Sequence, residues 1–179
     1  MTDQTPTADQ PVTTLLIEQL TSDAFLPFGT VMAPSEDGLP FGPGDARLDL
    51  SAGTPRFYTM RLRARGLAVS RITRHRRVTQ VLASAGGFEW VIAVAPPDRV
   101  GDPDAEPPLE AIRAFRIPGD TAIMLAVGTW HAGPLFDPEA TGAGDGSASF
   151  FNLELSDTNI VDHHTCDLAA TYGRTLRCV

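Results

Sequence analysis

The chain has 179 residues, of which 42% are hydrophobic, and carries a formal net charge of −8 at pH 7. This length suits one well-buried domain and is too short for two ordinary ones. The acidic balance disfavours non-specific binding to nucleic acid, and no apolar run is long enough for a membrane span. The first residues lack the basic and apolar regions of a signal peptide, so we expect a cytoplasmic protein without nucleic-acid or membrane partners.

The chain begins with a segment rich in Thr, Gln, Asp and Pro, which predicts a disordered tail at 1–11 and one domain at 12–179. Thr21–Phe25 is predicted to form a short capped helical turn. The predicted strands are residues 12–20, 57–62, 78–82, 89–94, 112–117, 121–127 and 150–155. The predicted surface loops are residues 34–46, 95–108 and 137–148. Many short strands and no long helical period favour an all-β sandwich or barrel.

Two histidines lie in or beside strand-like segments, His75 and His131, the latter within Gly128–His131. They are side chains that titrate near neutral pH. If the fold brings them together, they would line a polar pocket inside a small barrel. Either one alone is equally well explained as a hydrogen-bonded core or loop histidine.

Every basic side chain is an arginine, and eight of the fourteen fall within residues 56–77. Arg61, Arg63 and Arg65 alternate, and we expect them on the exposed side of one strand. Arg56 and Arg74 flank strand-like segments and are the candidates for capturing a carboxylate, which the planar guanidinium binds bidentately. An RNA-binding role is disfavoured, because the chain is acidic and lacks interleaved stacking aromatics.

Phe150, Asn152 and Glu154 share one face of a predicted strand. If that face is turned inward, Asn152 and Glu154 form a polar floor beside the histidines, and Glu154 is a candidate acid or base. If it faces solvent, they are ordinary surface residues. Glu89, at the start of another strand, has the same two alternatives.

The C-terminal residues offer a histidine pair and the two cysteines of the chain. His163 and His164 are predicted to be loop residues rather than metal ligands, because adjacent side chains of an extended segment rarely share one ion. For Cys166 and Cys178 a disulfide is conceivable, but free thiols are expected in a cytoplasmic protein.

Several motifs resemble those of the cupin superfamily and, more narrowly, the ureidoglycolate lyase family. His75, Gln80 and Gly86-Gly87 resemble the first cupin motif, and Gly119 with Gly128-x-x-His131 resembles the second. Four segments resemble the narrower family over residues 14–168. They are L-T-S-D-A-F-L-P-F-G-T-V at 20–31, G-T-P-R-F at 53–57, R-H-R-R-V-T-Q at 74–80 and W-H-A-G-P-L at 130–135.

The resemblance implies a single-domain cupin jelly-roll barrel with a few short helices. It also implies a carbon–nitrogen lyase of the amidine-lyase type, which cleaves (S)-ureidoglycolate to glyoxylate and urea in allantoin and purine catabolism. His131 would act as the base, with His75 or Glu154 as the acid. The substrate-binding residues would be Arg56 or Arg74 for the carboxylate, Gln80 and Asn152 for the ureido group, and Tyr58.

Metal-binding cupins commonly offer three histidines and a glutamate, whereas the corresponding positions here hold Thr73, His75, Gln80 and His131. Only two of these are good ligands for a divalent transition metal, so no cofactor is firmly predicted. Weak binding of nickel or zinc by His75, Gln80 and His131 stays open.

The motifs depart from the family pattern near the expected pocket. Arg76 stands where a proline usually follows the first histidine, and Gly133 is an extra residue after His131. These departures leave two alternatives open, namely an enzyme acting on another small hydroxy or amino carboxylate, and a non-catalytic small-ligand-binding cupin. The resemblance also implies a homodimer.

Overall fold

The computed structural model describes residues 11–141 and 145–179. The predicted N-terminal tail, apart from Pro11, lies outside these ranges. The strands are β1 Val12–Leu15, β2 Ile17–Gln19, β3 Gly29–Met32, β4 Pro55–Arg63, β5 Ala68–Val69, β6 Arg71–Arg74, β7 Gln80–Ser84, β8 Trp90–Ala95, β9 Arg113–Ile117, β10 Ala122–Leu125, β11 Trp130–Leu135, β12 Ser147–Leu155, β13 His164–Asp167 and β14 Thr175–Cys178. The helices are α1 Ser22–Phe25, α2 Thr158–Val161 and α3 Leu168–Tyr172, with 3-10 turns at Leu109–Ala111 and Pro138–Thr141.

These strands form a five-stranded sheet in the order β3-β10-β7-β12-β4 and a six-stranded sheet in the order β13-β6-β11-β8-β9-β2. A three-stranded sheet, β1-β14-β5, adds a further layer. Most neighbours within a sheet are distant in sequence and antiparallel, as in a jelly roll. The prediction of an all-β, cupin-type barrel is therefore confirmed.

The main core fills the space between the five-stranded and six-stranded sheets. Leu82 and Phe150 reach it from one sheet, and Ile92 and Val94 from the other. A second core packs the outer face of the six-stranded sheet and includes Leu176 of the three-stranded sheet. Strand β8 is therefore buried on both faces, which explains why it is a continuous apolar run rather than an alternating one.

The predicted cap of the first helix and the predicted loop at 34–46 are confirmed. Thr21 caps α1, its Oγ1 accepting a hydrogen bond from the Ala24 N–H at 3.1 Å. The predicted loop at 34–46 contains no regular element. The predicted loop at 137–148 needs correction, because it includes a 3-10 turn and β12 already begins at Ser147. Residues 142–144 lie outside the described ranges.

The single strand predicted at 12–20 is instead two short strands, β1 and β2, that join different sheets. Leu16 lies between them and is exposed, while the Ile17 N–H donates to the Val179 carbonyl at 2.8 Å. None of the helices in the described ranges approaches the length and apolar character that crossing a membrane requires.

Candidate active site

Three histidines of the six-stranded sheet lie together at one end of the barrel. The ring centroids of His75 and His131 are 5.2 Å apart, and those of His75 and His163 are 5.7 Å apart. His75 directly follows β6, His131 lies on β11, and His163 directly precedes β13. These three strands are neighbours in the sheet, and pairing of His131 with Val94 turns His131 toward the main core. His75 and His131 are buried, whereas His163 is exposed.

Main-chain carbonyls fix the orientation of the two buried rings. Nδ1 of His75 lies 2.6 Å from the Asp162 carbonyl oxygen, and Nδ1 of His131 lies 3.2 Å from the Thr129 carbonyl oxygen. A carbonyl only accepts, so each Nδ1 carries a proton, and each ring in its neutral form keeps Nε2 as an acceptor. Burial, reinforced by neighbouring His75, lowers the pKa of His131 to about 3. His131 is therefore neutral at physiological pH and has the protonation state of a base.

Glu154 is the buried carboxylate of the facing sheet, and four neutral donors surround it. Tyr58 OH donates to Oε1 at 3.2 Å, and Gln80 Nε2 donates to Oε2 at 3.1 Å. The Nδ2 groups of Asn152 and Asn159 add bonds of 3.1 and 3.0 Å. Glu154 thus acts as an acceptor held in place by amide and phenol groups. Burial is the main cause that raises the pKa of Tyr58, which keeps its phenol protonated as a donor.

The inward alternative for the strand at 150–155 is therefore correct. Asn152 and Glu154 are 1% exposed, while Phe151 on the opposite face is 40% exposed. The side-chain amide oxygens Gln80 Oε1 and Asn152 Oδ1 are buried without a hydrogen-bond partner among the described residues. Such atoms carry a desolvation cost that an N–H donor would remove. The floor of the site therefore offers two unmatched acceptors.

The segment at 156–163, which joins β12 to β13, ties the two sheets together over this site. Asn159 binds Glu154 of the five-stranded sheet, as described above, while Asp162 binds His75 of the six-stranded sheet. The Asp162 carboxylate also accepts the backbone N–H groups of Arg76 and Arg77, both at 2.8 Å. This segment, the strap, fixes the separation of the histidines from the Glu154 cluster.

Sequence analysis predicted His163 and His164 to be loop residues. His163 does lie outside regular structure, but the prediction is wrong for His164, which begins β13 by pairing with Arg74 of β6. The contact of His163 with His75 was not predicted. Desolvation and the neighbouring His75 lower the pKa of His163, with opposing contributions from Glu154 and Asp162. The contact between His163 and His75 results from the antiparallel pairing of β13 with β6. His164 lies opposite Arg74, so His163, which precedes His164, meets His75, which follows Arg74. No local motif in the sequence indicates this pairing.

Arg56 lies at the rim of the site on the five-stranded sheet. It is the cross-strand partner of Glu154, and its guanidinium carbon lies 3.7 Å from the centre of the Tyr58 ring. The side chain is exposed, and among the described residues no hydrogen bond or ion pair engages its guanidinium. Arg56 is therefore oriented by stacking on Tyr58, and its donors are free to bind an anion.

Arg74 is placed differently from the prediction that it binds a substrate carboxylate. Its side chain points to the outer face of the six-stranded sheet, opposite to the histidines, and is fully buried there. Three loop carbonyls and His164 accept its hydrogen bonds. Alternation along β6 is the physical reason, because Ile72 and Arg74 share the face that meets the second core.

The remaining charged candidates lie on the surface. Glu89 is exposed and pairs with Arg116 at 2.7 Å, so its solvent-facing alternative is correct. Arg61, Arg63 and Arg65 are exposed, as predicted from their alternation.

The two cysteines of the chain, Cys166 and Cys178, are buried free thiols.

The three residues predicted as weak metal ligands, His75, Gln80 and His131, include only two good ligands for a transition metal. His75 and His131 each keep one free ring nitrogen, whereas Gln80 could offer only its amide oxygen, because its amide nitrogen donates to Glu154. In the described ranges, no group of three or more His, Cys, Asp and Glu side chains has an arrangement that could hold a metal ion. Two imidazoles and an amide oxygen form a poor set of ligands for such an ion.

The fold and this polar end of the barrel define a cupin-type protein. Residues 41–139 match the model of the ureidoglycolate lyase family, which is more than half of the chain. The chain therefore belongs to the ureidoglycolate lyase family, and this membership implies that it is a lyase. A comparison with curated protein sequences found no significant match. The matched range contains Arg56, His75, Gln80 and His131, whereas the segment that carries Asn152, Glu154 and the strap lies beyond it.

Proposed function

We propose that the protein cleaves (S)-ureidoglycolate to glyoxylate and urea, a reaction that would place it late in allantoin and purine catabolism. The observation that carries the proposal is the facing pair of imidazoles, His75 and His131, whose Nδ1 atoms are bound to main-chain carbonyls. This arrangement leaves two Nε2 atoms for proton transfer, next to a site that offers one free cation and two unmatched amide acceptors. Membership of the family supports the same reaction.

The reaction requires one base, one acid and one anion-binding group. The carbon that carries the hydroxyl group of ureidoglycolate also carries the ureido nitrogen. When the hydroxyl proton is removed, the C–O bond becomes the aldehyde carbonyl and the carbon–nitrogen bond breaks. The electron pair of that bond stays on the nitrogen, which takes up a proton and leaves as urea. No oxidant, reductant or water is consumed.

In the proposed mechanism, neutral His131 removes the hydroxyl proton through Nε2, and protonated His75 delivers a proton to the leaving nitrogen. Each transfer contributes about 10²- to 10⁴-fold to the rate. Afterwards His131 holds a proton and His75 has lost one. Because the two rings are in contact, this proton returns to His75 and restores both groups for the next turnover.

Binding groups on the five-stranded sheet orient the substrate for this transfer. Arg56 binds the carboxylate at the rim, where its guanidinium makes no competing ion pair among the described residues. The side-chain amide oxygens of Gln80 and Asn152 accept hydrogen bonds from the ureido N–H groups. Glu154 holds both amides and acts here by positioning them, because four donors already occupy its oxygens.

The test is glyoxylate release from (S)-ureidoglycolate by the purified protein. We expect turnover by the wild type and a loss of about 10²-fold or more in His131→Ala and His131→Gln. Arg63→Ala, an exposed change on the same barrel, serves as the matched control and retains activity. If His131→Ala retained wild-type turnover, the assignment of the base would be wrong.

A second candidate is the same chemistry on another small hydroxy or amino carboxylate. Arg76, in place of the usual proline, favours it, because Arg76 directly follows His75 and is only partly buried. No glyoxylate from ureidoglycolate, with turnover of a related carboxylate, would support this candidate. Saturable binding of glyoxylate without turnover of any tested substrate would instead indicate a non-catalytic binding protein.

A further inference from the structure

Directly behind the three histidines, the outer face of the six-stranded sheet carries a cluster formed by Arg74, Trp130 and His164. Each member is the sequence neighbour of one histidine, and we name this cluster the outer clamp. Arg74 pairs with His164 across β6 and β13. The pairing of His131 with Thr73 brings Trp130 beside Arg74. Because side chains alternate along a strand, the clamp faces outward while the histidines face inward.

Arg74 is the centre of the clamp and uses all three guanidinium nitrogens. Nε donates to Nδ1 of His164 at 3.1 Å, and Nη1 donates to the carbonyls of Asp98 and Arg99 at 2.9 and 3.4 Å. Nη2 donates to the Asp102 carbonyl at 2.5 Å. The guanidinium carbon lies 4.6 Å from the centre of the Trp130 ring. One side chain thus connects β13, β11 and the loop at 98–102.

The same loop holds the main chain on the far side of His75. Arg76 donates from Nη1 to the Val100 carbonyl at 3.4 Å, so the arginines on either side of His75 share one anchor. Val100 also packs on Gly128, where an added Cβ would lie 2.5 Å from its side chain, and the Gly128 N–H donates to the His75 carbonyl at 2.7 Å. Arg99 has φ +43°, a left-handed conformation that a side-chain-bearing residue keeps only when its surroundings enforce it.

A buried cation is a costly way to fill a core, since its desolvation must be offset by well-aligned acceptors. Stability alone therefore does not explain why this position holds an arginine. The location of Arg74 behind all three histidines suggests a role in orienting them instead. We propose that Arg74 is a positioning residue, which acts through Trp130, His164 and the loop at 98–102 to fix the orientation of His75 and His131. The catalytic consequence rests on the proposed function; the structural one does not.

The experiment compares four variants of the full chain. Arg74→Lys keeps the charge and loses the planar fork. His164→Leu removes the acceptor of Arg74 Nε, while His164→Asn restores an acceptor atom near Nδ1. Arg71→Lys on the same strand is the matched control, because Arg71 is exposed. For each variant, kcat and KM for ureidoglycolate are measured, and long-range ¹H–¹⁵N NMR spectra report which ring nitrogen of each histidine is protonated.

We expect Arg74→Lys and His164→Leu to lower kcat about tenfold, with KM within about threefold of wild type, because misplaced proton-transfer groups slow chemistry more than binding. Their spectra should show neutral rings of His75 and His131 in both tautomers. In wild type, His164→Asn and Arg71→Lys, Nδ1 of both rings should stay protonated, whether or not Nε2 also carries a proton. Wild-type kcat and spectra in Arg74→Lys or His164→Leu, even with a lower melting temperature, would overturn the proposal. If Arg74→Lys does not fold, the two His164 variants decide. If the wild type releases no glyoxylate, the proposed function fails and the spectra alone test the clamp.

Discussion

His75 and His131 face each other from neighbouring strands of one sheet, with their ring centroids 5.2 Å apart and each Nδ1 directed at a main-chain carbonyl. Two imidazoles this close cannot both carry a charge without strong repulsion. The pair therefore has one favoured state near neutral pH, in which His131 is neutral. This state determines both the proposed chemistry and the response of the fold to acid.

The first prediction concerns stability in mild acid. The pKa of His131 is about 3 in the folded protein, against an ordinary value of 6.5 that applies when the chain is unfolded. As the pH falls, the unfolded chain takes up this proton first, so the stability conferred by neutral His131 is complete above about 6.5. Below that value it is lost by about 1.4 kcal/mol per pH unit until the pH approaches 3. Urea unfolding at about pH 5, 6 and 7 measures this slope.

His131→Gln provides the comparison, because it removes the titrating group and keeps a polar side chain. We expect a shallower dependence of the free energy of unfolding on pH in this variant. The dependence should not vanish, since burial also lowers the pKa of His163 and His164. Equal slopes for wild type and variant would show that His131 does not contribute to the acid response.

The second prediction concerns anion capture by Arg56. Arg56→Gln should raise KM for ureidoglycolate about tenfold or more with a smaller change in kcat, because the lost interaction is with the carboxylate rather than with the reacting bond. The fold should be unaffected, since Arg56 is exposed and makes no ion pair among the described residues. Arg63→Gln, exposed on the same strand, is the control. Unchanged KM in Arg56→Gln would exclude this residue as the carboxylate-binding group.

The third prediction concerns the buried carboxylate of Glu154. In Glu154→Gln one acceptor oxygen becomes a donor that faces other donors, so two or more hydrogen bonds are lost. We expect a loss of about 2 to 4 kcal/mol in the free energy of unfolding, together with loss of turnover. Denaturant unfolding and the glyoxylate assay measure the two effects. Glu89→Gln, on the surface, should change neither, and a fully stable, active Glu154→Gln would contradict the positioning role.

The fourth prediction concerns Gly29, the glycine of the P-F-G-T-V segment. It has φ +156°, and an added Cβ would lie 1.8 Å from the Met124 carbonyl oxygen of the neighbouring strand β10. Gly29→Ala must therefore separate β3 from β10, and we expect it to cost about 3 kcal/mol or more. Gly44→Ala, where nothing lies within 4 Å of the added Cβ, should be close to neutral. Thermal unfolding of the two variants measures this difference in stability, and equal melting temperatures would contradict the prediction.

The fold class could be predicted from the sequence because its signals are local. Alternation, turn residues and the Thr21 cap each act within a few positions, and most of the predicted strands overlap observed ones. β3, β5, β6, β11, β13 and β14 were not predicted. Five of them have four residues or fewer, so their stability comes from pairing with distant partners rather than from their own composition. The sixth, β11, has six residues but contains Gly133 and Pro134, which interrupt the pattern of a strand.

Part of the candidate site could also be predicted, since the resemblance to the two cupin motifs identified His75, Gln80 and His131. The side that a residue faces was harder to predict. Arg74 was a candidate for the pocket, but its side chain lies on the outer face of the sheet. Adjacent residues of a strand point to opposite faces, so an error of one position reverses the predicted side. The contributions of His163 and Asn159 depend on the path of the strap between two sheets, which no pattern within the strap encodes.

The two sheets divide the site, with His75, His131 and His163 on the six-stranded sheet and Arg56, Tyr58, Gln80, Asn152 and Glu154 on the five-stranded one. In the proposed mechanism, proton transfer and substrate binding are therefore carried out by residues of different sheets. If this mechanism holds, substitutions at the rim of β4 or β7 should alter which carboxylate is accepted without disturbing the imidazole pair. Directed evolution toward a new substrate should accordingly accumulate its mutations on the five-stranded sheet and spare the other.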